Sequence, residues 1–276
     1  MDNKKVSVVV LLDMSKAFDS ISHTVLLQKL QALGVSSPSL DWFHSYLTGR
    51  CQRVRIHDTV SDLLPLKYGV PQGSILGPVL FTIYVNDLLS VPLHCKSACY
   101  VDDNKLYLSF PSTNTTTAID NLNEDLKNIC VWCCKNSLLI NPDKTKVLFI
   151  GVPQLLRQLP AVPVLMLGKE INPVIVAKDL GLYLDQSLTY SDHVTKTASN
   201  CMHKLIEINR IKHLLDKKTL LLLMDSFIFS KLFYCSTVWS NTSKSNIEKL
   251  QLVQNFAARI VLGLRKYDHI SQAIKS

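Results

Sequence analysis

The run "VSVVVLLD", Val6 to Asp13, constrains this chain most. An apolar, β-branched stretch that is almost unbroken reads as a strand buried on both faces, and such a strand needs further layers around it. It ends on a carboxylate, Asp13. A second stretch, "YVDDNKLYL", sets Asp102 and Asp103 side by side in a strand–turn–strand pattern, with no basic neighbour until Lys105. Two ionised carboxylates this close repel, and burying either one unpaired is costly. An exposed turn accounts for the pair, and so does a metal site.

The rest of the chain alternates helix and strand signals. "HTVLLQKLQALG" has helical spacing with a glycine stop at Gly34, and "SLDWFHSYLTG" is a short second helix after Pro38. "CQRVRIHD" alternates as a strand does, with Arg53 and Arg55 on one face. "GVPQGSILGP" leads into "PVLFTIYVNDLL", apolar nearly all round and therefore expected to be a buried helix. A long helix, "TTTAIDNLNEDLKNICVWCCKN", and two short strands around an Asn-Pro-Asp turn, "SLLINPDKTKVLFI", follow. Short strands alternate with prolines from Val162 to Leu184, and the remainder is helical. The expected fold class is α+β, with an α+β body over 1–190 and a basic helical region over 191–276.

Charge and cysteine usage narrow the function classes. The net charge is +8, and Lys196 to Lys266 holds 12 Lys/Arg against 4 Asp/Glu, while the rest balances at 18 against 18. A basic final third suits nucleic acid first and an acidic membrane second, with solvated lysine-rich helix faces as the bland reading. Asp13 breaks the N-terminal apolar run, so it is no secretory signal. Asp225 and Lys231 interrupt "TLLLLMDSFIFSKLFY", so no membrane span is expected. The 8 cysteines lack the spacing of a secreted scaffold, which implies reduced thiols and an intracellular protein, nuclear or cytoplasmic. In "CVWCC", Cys130, Cys133 and Cys134 share one helical face and read as core, since no second Cys or His pair follows at zinc-finger spacing. Asp19 and Asp87 read as caps or surface acids, and His23 and His44 as helix-surface residues.

If the strands that carry Asp13 and Asp102–Asp103 are neighbours, three carboxylates converge at one sheet edge. Mg²⁺ stabilises such a cluster, because it takes one or two carboxylates together with substrate phosphates. Beside it, Gly73 and Gly77 allow close approach of the main chain to a base or sugar, and Gln72 can donate and accept hydrogen bonds. Alone, that loop is a weak signal and reads first as a turn before a helix.

These segments resemble the palm of reverse transcriptases from non-LTR, LINE-type and jockey-like retrotransposons. "LLDMSKAFDSISH" is similar to their motif A, "GVPQGSILGPVLFTIYVNDL" to motif B and "YVDD" to motif C. "NSLLINPDKTKVLF" resembles motif D and "KDLGLYLDQSLTYSDHV" the segment around motif E. "FYCSTVWS" and "LQLVQNFAARIVLGLRKYDHI" are like thumb-side sequences. The resemblance implies a ferredoxin-like palm sheet with helices on one face, then a helical thumb-like region. It implies that Asp13, Asp102 and Asp103 are the catalytic residues and hold Mg²⁺, with Mn²⁺ as a substitute. Lys16 and Ala17 would approach the triphosphate through their main chain, and Phe18 would be the steric gate against a 2′-OH. Gln72 and Gly73 would line the nucleotide pocket, Lys144 or Lys146 would lie near the leaving pyrophosphate, and Gly181 would belong to the primer grip. The implied partners are an RNA template, a DNA primer and dNTP. Val101 replaces the alanine of the family's YADD, a change expected to be harmless.

Motif A begins close to Met1, and the chain stops just past "YDHI". The expectation is therefore a truncated palm and thumb fragment of a reverse transcriptase, with weak or absent synthesis. The alternative is a non-catalytic RNA- or hybrid-binding remnant of a retroelement.

Overall fold

The computed structural model describes residues 5–265, Asp268 and Ile270; Lys266, Tyr267 and His269 of the last thumb-like stretch lie outside the described residues. The chain forms two compact units, Met1–Val174 and Ile175–Ser276. The division precedes the boundary at 190 read from the sequence. The hairpin that follows Val174 packs on the helix after it, and Leu182 joins that helix's core.

A four-stranded antiparallel sheet organises the first unit. Its strands are β1 (Lys5–Leu12), β2 (Lys96–Tyr100), β3 (Asp103–Pro111) and β4 (Lys146–Ile150). They lie in the order β4-β1-β3-β2, the ferredoxin-like order, with helices in the β1–β2 and β3–β4 crossovers. Register continues one buried face across the pair: Val6 opposes Phe110, Val8 opposes Leu108, Val10 opposes Leu106 and Leu12 opposes Asn104. Val6, Val8 and Val10 are fully buried, whereas Ser7, Val9 and Leu11 are only half-buried. The apolar run is thus covered on one face, a correction to the expected double burial. On the other face the Ser7 and Ser109 hydroxyls meet at 2.7 Å.

Helices α1 (His23–Ala32), α2 (Ser37–Leu47), α3 (Leu76–Val85) and α4 (Thr115–Lys135) supply the covering layer. In α4 the buried Ala118, Ile119, Leu122, Leu126, Ile129 and Cys133 follow the helical repeat and join the core of β1. Cys130 is buried with them but Cys134 is exposed. Helix α3 buries Leu80, Phe81, Tyr84 and Val85 and leaves Val79 exposed, so it is not enclosed on every side. Segment 51–65 forms only two-residue ladders, Cys51–Gln52 with Leu64–Pro65 and Arg55–Ile56 with Thr59–Val60, all exposed.

Asp125 of α4 is fully buried and accepts three backbone N–H groups, from Leu93 (2.7 Å), His94 (2.9 Å) and Cys95 (2.7 Å). These bonds hold the turn that starts β2. Burial opposes the charge of Asp125, and the three N–H bonds outweigh it, so its carboxyl lies below the ordinary value.

In the second unit, β5 (Val176–Asp179) and β6 (Leu182–Asp185) form a hairpin. Helices α5 (Ser191–Ile211), α6 (Lys217–Met224) and α7 (Lys244–Leu262) follow, and α6 runs on into a π-helical turn, Asp225–Phe229. The shared core includes Leu205, Met224, Ile228, Trp239 and Val253. His193 is buried there, 6.4 Å from the Tyr183 ring and 6.0 Å from Trp239, with no hydrogen-bond partner for either ring nitrogen among the described residues. Burial lowers its pKa. Among the described residues no helix is long and apolar enough to cross a membrane.

Two outcomes follow. Asp125→Ala strands three donors and is expected to cost about 3 kcal/mol in urea unfolding at pH 7. The native advantage of Asp125 is present above the ordinary carboxylate pKa and is lost as pH falls through its depressed value, so the wild-type–variant gap closes in acid. For His193 the unfolded state binds the proton more readily. Its contribution is complete above the ordinary histidine value of 6.5 and declines as pH falls below it. His193→Phe is expected to flatten the fall in melting temperature between about pH 7 and 5.

Candidate active site

The sheet register brings the first acidic residues together. Asp13 follows directly on the Leu12–Asn104 pair, and Asp103 precedes it on the facing strand, so the two carboxylates leave the same end of one ladder. Asp102 sits one residue further, in the Val101–Asp102 turn closed by the Tyr100–Asp103 pair. Val101 has φ 57°, a left-handed conformation that a β-branched residue adopts only at a cost. The valine is therefore not neutral in this turn, contrary to expectation. The Cys99 thiol donates to the Val101 carbonyl at 3.0 Å, and Asn104 Nδ2 donates to the Asp102 carbonyl at 3.2 Å. Asn104 is buried, and its Oδ1 has no hydrogen-bond partner among the described residues. Burial first, and then the carboxylates of Asp102 and Asp103, raise the Cys99 pKa, which marks the negative field at this edge.

Asp13 is braced from behind. Its carbonyl accepts the Asn141 N–H at 2.9 Å, and its own N–H points to Thr145 Oγ1 at 3.4 Å. The Asn141–Thr145 turn between them carries Lys144, whose N–H bonds back to the Asn141 carbonyl. Met14–Ser15 then pairs with Leu139–Ile140. Lys144 is thus delivered to the neighbourhood of Asp13 by backbone bonds, while Lys146 opposes Leu11 inside the sheet.

The loop around Gln72 is tied to the segment after Asp13. Val70 N–H bonds to the Phe18 carbonyl (3.0 Å) and Gly69 N–H to the Ile21 carbonyl (2.8 Å). The Gln72 amide donates to Asp19 Oδ1 at 2.8 Å, and the Phe18 ring stacks on Phe81 at 4.6 Å. Asp19 is therefore a tie between the two segments. Lys16 has φ 49° and is exposed, Ala17 is buried, and Gly73 has φ 78° at an exposed position. His23, expected on the surface, is buried, with its Nε2–H donating to the Gly69 carbonyl at 2.8 Å. Asp87 is not idle either: it pairs with Lys29 and accepts the Trp132 indole N–H.

Next to Gln72 opens a cavity of about 770 Å³ lined by Lys16, Arg50, Lys67, Asp19 and Tyr68. Lys16, Arg50 and Lys67 have no carboxylate partner among the described residues. Arg50 and Lys67 were not singled out from the sequence. Their signal was weak, because lone basic residues at the two ends of an exposed hairpin segment resemble any solvated surface. Gly181 belongs to the second unit, at the β5–β6 turn.

Among the described residues no group of three or more His, Cys, Asp or Glu side chains is arranged to hold a metal ion. The donor chemistry nevertheless fits a hard divalent cation. Carboxylates at one strand end are the protein share of a Mg²⁺ shell that substrate phosphates complete.

The antiparallel sheet, the acidic strand end and the glycine-bearing loop are the parts that the family resemblance assigns to a polymerase palm. Residues 1–171 match the family described as reverse transcriptase (RNA-dependent DNA polymerase), and the chain belongs to that family. It is 30% identical over 275 residues to the probable RNA-directed DNA polymerase from transposon BS of Drosophila melanogaster, covering 94% of this chain and 29% of the relative. To the RNA-directed DNA polymerase from mobile element jockey of the same species it is 28% identical, covering 97% of this chain and 30% of the relative. The chain thus spans about three-tenths of the length of these relatives. Among solved structures, telomerase from Candida tropicalis, in complex with a fragment of telomeric RNA, matches 99% of this chain and 49% of its own. Its identity is 12% and its TM-score 0.50, a likeness of fold alone.

The junction between Gly69 and the Phe18–Asp19 backbone yields a test. A Cβ on Gly69 would stand 3.0 Å from Asp19 Cα and from its carbonyl oxygen, at φ 87°. Gly69→Ala is expected to destabilise the first unit by about 2 kcal/mol in chemical denaturation, because backbone atoms cannot give way as a side chain would.

Proposed function

We propose that this chain is the nucleotidyl-transfer portion of a non-LTR retrotransposon reverse transcriptase, extending a DNA primer with dNTP on an RNA template. The observation that carries the reading is the β1–β3 register, which delivers Asp13 and Asp102–Asp103 to one strand end beside the Lys144 turn. On this reading Asp13 and Asp102 hold Mg²⁺ (or Mn²⁺), and Asp103 assists. When bound, the ion supplies charge neutralisation and Lewis acidity at the transferred phosphate.

The protein's own groups then position the reactants. Lys16 and Ala17 face the nucleotide triphosphate, and the unneutralised Arg50 and Lys67 add positive charge along the same cavity. Phe18, fixed by its stack on Phe81, stands as the gate to the sugar. Gln72, oriented by Asp19, and Gly73 line the base and template side. Lys144 can give a proton to the departing pyrophosphate. In the second unit the β5–β6 turn with Gly181 grips the primer, and the basic helices contact phosphates without reading sequence. The first unit acts as palm and the second as thumb. All 8 cysteines are free, which suits the reducing interior of a cell.

Primer extension by the full chain on poly(rA)·oligo(dT) with Mg²⁺ tests this. Asp102→Asn is expected to lower synthesis roughly a hundredfold or more while hybrid binding is kept. Synthesis undiminished in that variant overturns the assignment. Salt-sensitive hybrid binding with no synthesis in the wild type assigns the chain to a non-catalytic binding role instead.

A further inference from the structure

The β5–β6 turn carries backbone strain, and a distant side chain ties it down. Leu180 and Gly181 form the turn, closed by the Asp179–Leu182 pair, and both are left-handed, with φ 43° and 88°. For glycine this conformation is inexpensive; for leucine it costs about 1–2 kcal/mol. Strain of this kind persists only where the surroundings impose it. The two-residue hairpin loop imposes it here, because a turn of this kind requires φ > 0 at both central residues; Tyr234, far along the chain, adds a tie. Its hydroxyl donates to the Leu180 carbonyl at 2.8 Å, and its Cε1 lies 3.0 Å from where a Gly181 Cβ would stand. The ring therefore occupies the notch that glycine leaves open.

Tyr234 is itself anchored. Its carbonyl accepts the indole N–H of Trp239 at 2.8 Å, and Trp239 is buried in the core of the second unit. The turn is thus tied through two hydrogen bonds to a rigid centre. Leu180 and Tyr234 are both exposed, at 38% and 47%, so the tie lies at the surface and not in the core. A fixed backbone at an exposed tip is what a contact with a ligand requires.

We infer that Tyr234 is a positioning residue that locks the Leu180–Gly181 turn in the geometry that meets the primer terminus. This inference rests on the proposed primer grip. Loss of the hydroxyl removes that tie without changing the charge, so the tip of the hairpin is free to shift against the core of the second unit.

The full chain is tested with an RNA template annealed to a primer that ends in 4-thiothymidine, a photo-cross-linker. In the wild type the terminal base is expected to cross-link to the β5–β6 hairpin. Tyr234→Phe should lower that yield about fivefold, the factor expected for losing one hydrogen bond. The turnover number in primer extension should fall by a similar factor, with KM for dNTP, hybrid affinity and melting temperature unchanged. The inference is overturned by absence of the wild-type cross-link, by wild-type cross-linking and turnover in Tyr234→Phe, or by a fall in melting temperature and hybrid affinity that tracks the turnover loss. Cross-linking needs no synthesis, so its outcome stands apart from that of the Asp102→Asn assay.

Discussion

The pairing of β1 with β3 is the constraint on which the first unit depends. Its register places Val6, Val8, Val10 and Leu12 on the covered face and leaves Asp13 beside Asp103 at the open end. A slip of one residue would turn the valines outward and move Asp13 out of step with the turn. Core burial and site geometry are therefore one condition. The hydrophobic term that fixes the register also fixes where the carboxylates emerge, and the Ser7–Ser109 contact on the uncovered face agrees with the same alignment.

Around that sheet end the backbone, more than side-chain contact, carries the organisation. The Asn141–Thr145 turn braces Asp13, and the Gly69–Val70 segment is bonded to the Phe18 and Ile21 carbonyls. Among the described residues nine non-glycine positions have positive φ, and three of them, Lys16, Val101 and Leu180, lie in or next to segments proposed to meet metal, nucleotide or primer. Local strain held by surrounding bonds is a recurrent property of sites that must present a fixed backbone to a ligand. In the second unit the hairpin pairing sets the turn, and a single tyrosine ties it to the core.

Much of this was legible in the sequence. Helical periodicity in "TTTAIDNLNEDLKNIC" and the strand–turn–strand pattern of "SACYVDDNKLYLSF" are strong local signals, and both elements form. The misreadings are equally physical. An apolar run does not reveal how many layers cover it, so β1 reads as buried on both faces although one face is only partly covered. His23 reads as a surface residue because its partner, the Gly69 carbonyl, comes from a loop far along the chain. Cys134 shares a helical face with Cys130 and Cys133 yet stays exposed, because the edge of that face lies beyond the packed layer.

By itself, the sequence determined the residue types at the candidate site, the order of the elements and the family to which they belong, because these rest on spacing and local propensity. Only the tertiary structure decided which end of the sheet gathers Asp13 with Asp102–Asp103, that Arg50 and Lys67 line a cavity with Lys16, and that Tyr234 fills the notch at Gly181. Each of these joins residues far apart along the chain. Such contacts depend on register and packing of whole elements, which a linear pattern does not encode locally.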